Sequence, residues 1–127
     1  MIASQDSLKI KKDQLSYAIQ LFNTQQWYKA HDAFEEIWHE SIGRERLVVQ
    51  AILQVSVAYY HFGNGNRNGA MILIGEALGR LKQESSEEMD FDLDIKGLCL
   101  SLETSLLCLH RDEELDLMPY PSLRPTS

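Results

Sequence analysis

The sequence predicts an all-α fold, a single bundle of about five helices with a central antiparallel pair. Apolar residues recur at three- and four-residue spacing through every long segment. Short Asn- and Gly-containing breaks separate those segments, and all three prolines lie from Pro119 onward. At 127 residues the chain is expected to form one domain spanning 1–127.

The first helix is expected from about Asp6 to Phe22, with Leu8, Leu15, Ile19 and Phe22 on one apolar line. Asn23-Thr24-Gln25 interrupts the pattern with side chains that compete for local backbone bonds. The second helix should run from about Gln26 to Ser41 on the line Trp27, Ala30, Phe34 and Ile37, with Trp38 beside it and Gly43 ending it. So short a link favours an antiparallel neighbour.

The third helix, about Arg44 to Phe62, is the most apolar. Its Val, Ile and aromatic content also suits a strand, but Val48, Ile52, Val55 and Tyr59 recur at helical spacing and strict alternation fails at Val48-Val49. Its nearly continuous apolar surface makes it the central element. Gly63 to Asn66 is a turn, and Asn66 can cap a fourth helix, Arg67 to Gln83, with Ala70, Ile74, Ala77 and Leu81 inward. Gly75 and Gly79, four apart, offer another helix a close approach.

The acidic stretch 84–94 reads as a linker, the fifth helix as about 92–110 with Leu98, Leu102, Leu106 and Leu109 buried, and the tail 119–127 as extended. Ala70-Ile74-Ala77 faintly echoes Ala30-Phe34-Ile37 in the manner of a tetratricopeptide repeat. Two hairpins obeying the same packing rules explain that echo more simply.

Charge and composition exclude several classes. The net charge of -7 argues against nucleic acid and against an anionic membrane surface. No apolar run reaches the roughly 18 residues of a membrane span, and the first residues, MIASQDSLKIKKDQ, lack a signal-peptide core. Cys99 and Cys108, nine apart on one helix, lie on opposite sides, so two free thiols and a cytoplasmic location are expected.

The candidate chemistry lies where the second and third helices meet. Tyr28, His31, Glu35 and Trp38 share one face, as do Arg46, Gln50, Gln54 and His61. Antiparallel pairing about Gly43 places His31 near Gln54 and Val55, and Glu35 near Gln50 and Ala51. The expected result is a polar seam through an apolar interface. In a structural reading, His31 and Glu35 bond to Gln50 and Gln54 and lock the register, since an unsatisfied buried polar group costs ~1–3 kcal/mol. In a site reading, His31, Glu35 and His61 hold a divalent metal, with Asp32 or Glu36 as supporting group or base. HDAFE is not the HExxH motif, because position 35 is glutamate; His39 is expected to be solvated.

The order Phe22-Asn23, Tyr28, Ala30-His31, Glu35-Glu36, Trp38, then Gln50, Gln54, Tyr60-His61, Asn66 and Gly69-Ala70 resembles the domain-of-unknown-function 309 family over about Leu15 to Leu81. The resemblance implies a small helical bundle and a metal-dependent hydrolase label. It implies a site of His31, Glu35 and His61, with Gln54 and Asn66 nearby. Asp32 stands where the family usually has glutamate.

The sequence therefore predicts a structural, ligand-binding or protein-interaction module. Its candidate pocket is Tyr28, His31, Asp32, Glu35, Gln50, Gln54, His61 and Asn66. The alternative is a metal-dependent hydrolase with His31, Glu35 and His61 as ligands. A small ligand or protein partner is expected, and a homo-oligomer is left open. A further alternative is a groove between the hairpins that receives a partner peptide.

Overall fold

Five helices follow one another in the computed structural model, which describes residues 2–83, 92–111 and 120–125, with side chains from residue 11 onward. They are α1 (Ile2–Asn23), α2 (Trp27–Glu40), α3 (Gly43–Gly63), α4 (Arg67–Gln83) and α5 (Ile95–His110). Each packs chiefly on its neighbours in sequence, α3 against both α2 and α4, so the most apolar helix is the central one. Its expected line Val48, Ile52, Val55 and Tyr59 is buried throughout. So are Ala30, Phe34 and Ile37 of α2 and Ala70, Ile74, Ala77 and Leu81 of α4. Fully burying one such aliphatic or aromatic side chain contributes about 1.5–3 kcal/mol.

The two helical hairpins repeat more closely than their sequences suggest. The buried positions of α4 are those of α2 moved on by forty residues, with Leu81 answering the buried Ser41. The turns match in backbone as well. Gln25 and Gly65 both take left-handed φ, +59° and +83°. Gln26 N–H donates to the Leu21 carbonyl (2.9 Å) and Asn66 N–H to that of His61 (2.8 Å), while Gln25 and Gly65 donate to Phe22 and Phe62, both at 3.0 Å. This is the paired closure of a Schellman motif, used twice. The faint echo is a genuine structural repeat, carried by backbone and burial more than by residue identity.

Several boundaries differ from expectation. Gly43 is left-handed (φ +61°) but opens α3, whereas α2 ends at an extended Ser41 whose hydroxyl donates to the Ile37 carbonyl at 2.6 Å. An ideal Cβ on Gly75 or Gly79 meets nothing within 4 Å, so among the described residues no helix approaches them; both lie on the solvent side of α4. Helix α5 starts at Ile95, and Asp94 caps it by accepting the Gly97 amide at 3.0 Å. Residues 84–91 of the expected linker and 119, 126 and 127 of the expected tail lie outside the described residues, as does the Leu8 side chain.

The segment 120–125 is extended and closes one end of the bundle. Pro121 and Leu123 are buried. Tyr120 meets Trp27 and Tyr59 at ring-centroid distances of 6.1 and 5.9 Å. Trp27 in turn stacks on Tyr59 (5.0 Å) and meets Phe22 edge-on (5.1 Å). One aromatic cluster thus joins α1, α2, α3 and the last described segment. Among the described residues, no helix is long and apolar enough to cross a membrane.

Candidate functional site

The site begins with one face of α2. Helical spacing aligns Tyr28, His31, Glu35 and Trp38, and the two ends of that row meet α3. Tyr28 lies against Tyr60 with ring centroids 5.6 Å apart, and the Arg46 guanidinium sits 3.8 Å over the Trp38 ring. Both pairs are nearly equidistant from Gly43, so the antiparallel register read from the sequence holds.

The polar seam does not. His31 Nδ1 lies 3.3 Å from Asp32 Oδ1, and its Nε2 lies 3.8 Å from Glu35 Oε2. Glu35 Oε1 is 3.9 Å from His39 Nε2, and His39 is exposed, as expected. Every one of these partners belongs to α2. His31 is about a third exposed and Glu35 about half, so the row faces the rim and not an interior. Gln54, expected opposite His31, turns to the other neighbour: its amide donates to Glu76 Oε2 and its carbonyl accepts from Arg80 Nε, both at 2.9 Å. The register lock is therefore between α3 and α4. Gln50 is half-buried. Helical spacing determines which residues share a face, but α3 has neighbours on two sides and its edge residues can serve either.

Asn66 has a local task. Its Oδ1 accepts the Gly69 amide at 2.9 Å, capping α4. A Cβ at Gly69 would lie 2.4 Å from the Asn66 amide nitrogen, so a larger residue there would require the capping side chain to shift.

For a metal, the described residues offer one group of three: ligand atoms of His31, Asp32 and Glu35 all lie within 4.8 Å of one another. His61 is not in that group. It lies half-buried near the C-terminal end of α3, beside Tyr60 at 6.3 Å between rings. One imidazole and two carboxylates suit a first-row divalent ion. Ligands about 2.1 Å from a tetrahedral ion stand roughly 3.4 Å apart, so these side chains would have to draw together, which their exposure allows. A half-open cleft of about 270 Å³ has none of the three in its wall; it is lined by Lys11, Lys12, Leu15, Ile37, Glu40 and Glu45, among others.

Two arrangements escaped the sequence. The Tyr59 hydroxyl lies 2.5 Å from Ser105 Oγ in the buried interior. Burial pushes its pKa up to about 12, against the opposing effect of the Ser105 hydrogen bond. Asn23, at the end of α1, donates through Nδ2 to the Leu123 carbonyl (2.9 Å) and accepts the Leu123 amide on Oδ1 (2.7 Å). Both partners lie far off in the chain, and no periodicity signals them.

Residues 15–73 match the family model described as a domain of unknown function (DUF309). Over that span the chain is similar to DUF309. The match takes in α2, α3 and the first part of α4, hence both Schellman turns and the His31 row, while α5 and segment 120–125 lie outside it. The resemblance carried by the Ala30-His31 to Gly69-Ala70 pattern is thereby supported. No curated protein matches the chain.

Proposed function

We propose that this chain is a non-catalytic helical-hairpin module that binds a protein partner. The observation that carries the reading is the forty-residue recurrence of turn, buried row and antiparallel hairpin from α1–α2 to α3–α4. Stacked hairpins of this kind present extended surfaces to other polypeptides. The exposed Tyr28–Tyr60 pair, beside the His31 row, adds the aromatic contact area that binding surfaces favour.

A second reading, a metal-dependent hydrolase, is favoured by the convergence of His31, Asp32 and Glu35. An ion held there would supply Lewis acidity towards water and a carbonyl or phosphoryl oxygen. His31 would offer Nε2 or Nδ1, and the carboxylates would offset the positive charge. Asp32, and not His61, would complete the set.

Elemental analysis of protein purified without an affinity tag separates the two. The binding-module reading expects zinc, manganese and iron well below one equivalent per chain. One equivalent of such a metal, lost in His31→Ala with little change in melting temperature, would overturn it.

A further inference from the structure

We infer that the place occupied by residues 120–125 is a binding site for an extended peptide of a partner protein, of the pattern aromatic-Pro-x-Leu followed by a basic residue, which the chain's own segment fills in cis. This rests on the binding-module reading and names the class of ligand. Recognition here is largely of main chain. The Asn23 carboxamide makes a two-point contact with the N–H and C=O of one residue, Leu123, at 2.7 and 2.9 Å. A primary amide carries a donor and an acceptor side by side, which is the complement of an extended residue and ignores its side chain. The Asp94 amide donates to the Arg124 carbonyl at 2.8 Å, and Leu93 pairs with Pro125 as an antiparallel bridge. One isolated bridge and one side-chain amide thus read the main chain of the segment, as strand addition reads it at a sheet edge.

Side-chain selection comes from two enclosed positions, Pro121 and Leu123, and from the Trp27–Tyr59 platform under Tyr120. The groups that hold the segment sit on α1, α2 and α3 and on Leu93 and Asp94 just before α5, and most of the buried positions of α2, α3 and α4 lie within those helices. Ordering six residues costs chain entropy comparable with what two buried side chains and three main-chain bonds return, so the segment can exchange. Charge specifies the partner further. The chain carries a net -7, whereas the described segment holds Arg124 and no acid. A neutral or basic peptide is therefore favoured over an acidic one.

The test uses the full chain with its own segment weakened, Pro121→Ser/Leu123→Asp, and a fluorescein-labelled Tyr-Pro-Ser-Leu-Arg-Pro peptide followed by anisotropy. A segment tethered at ~1 mM effective concentration competes by about 100-fold against a peptide of ~10 μM affinity. The variant should therefore bind about 100-fold more tightly than wild type. Adding Asn23→Ala, or placing Asp at the peptide's Leu, should abolish the gain. A helical, metal-free variant that binds no better than wild type ends this inference while leaving the module reading intact; stoichiometric metal at His31 would end that reading instead. A concentration-dependent dimer formed by exchange of segments, in place of peptide binding, also overturns the inference. Should the variant fail to fold, wild-type hydrogen exchange decides. The Leu123 amide should exchange at least 100-fold faster than that of Ile52, and equal rates would mean that the segment leaves only on global unfolding.

Discussion

Replacing Tyr59 with phenylalanine isolates one buried hydrogen bond and one titration in a single residue. The ring is 2% exposed, stacks on Trp27 and meets Tyr120, contacts that phenylalanine retains. What it removes is the hydroxyl 2.5 Å from Ser105 Oγ, leaving a hydroxyl at 0% exposure without that partner. Tyr59→Phe and Ser105→Ala should each cost about 1–3 kcal/mol. The double variant should cost less than their total, because neither orphaned group remains, with a coupling of at least ~0.5 kcal/mol. Urea denaturation at neutral pH measures this as a shift of midpoint at constant m. The same residue sets an alkaline limit. Below pH 10 folded and unfolded chains both hold the phenolic proton. Between pH 10 and the folded pKa of about 12, the unfolded chain releases it and the folded chain does not. Stability therefore falls as pH rises through that window, by about 2–3 kcal/mol in total. Tyr59→Phe should lose this share of the decline. Additive single costs, or an unchanged alkaline slope in Tyr59→Phe, would refute the account.

Gly75 and Gly79 face open space within α4, so Gly75→Ala and Gly79→Ala should each stabilise by about 1 kcal/mol, read as a rise of roughly 4 °C in melting temperature; a loss of stability would mean that a neighbour does lie against them. The paired turns give opposite signs at equivalent positions. Gly65→Ala should destabilise by about 1 kcal/mol, since φ is +83° although space is open, and Gln25→Gly should stabilise by up to about 1 kcal/mol, both read by urea midpoint. Burial pushes the Cys99 thiol up, with Lys82 opposing it. Cys99 should accordingly react with an aromatic disulfide reagent more slowly at pH 8 than an exposed cysteine peptide, and equal rates would contradict that burial.

The His31 row shows how a correct register can carry a wrong partner. Tyr28–Tyr60 and Trp38–Arg46 confirm the pairing of α2 with α3, yet the polar groups between those contacts turn to their own helix or to solvent. A carboxylate at the rim keeps its hydration, whereas one in the seam would need a matched donor to offset desolvation. Gln54 solves that problem on the opposite flank, where Glu76 and Arg80 supply both an acceptor and a donor. The hairpin recurrence is faint in residue identity for a related reason. A Schellman turn constrains φ and main-chain bonds, and Gln25 fills the left-handed position that Gly65 fills in the second copy.

Sequence alone determined the helices, because a period of three to four residues is local and each buried row of α2, α3 and α4 lies within one element. It also determined the order of neighbours, since short links leave antiparallel packing as the ready solution. Tertiary structure decided which neighbour each polar side chain serves: Gln54 to α4, Tyr59 to Ser105 of α5, and Asn23 to the backbone of Leu123 one hundred residues away. Those choices depend on how faces of different helices are turned towards one another once the apolar rows are buried, a quantity that no single element's periodicity contains.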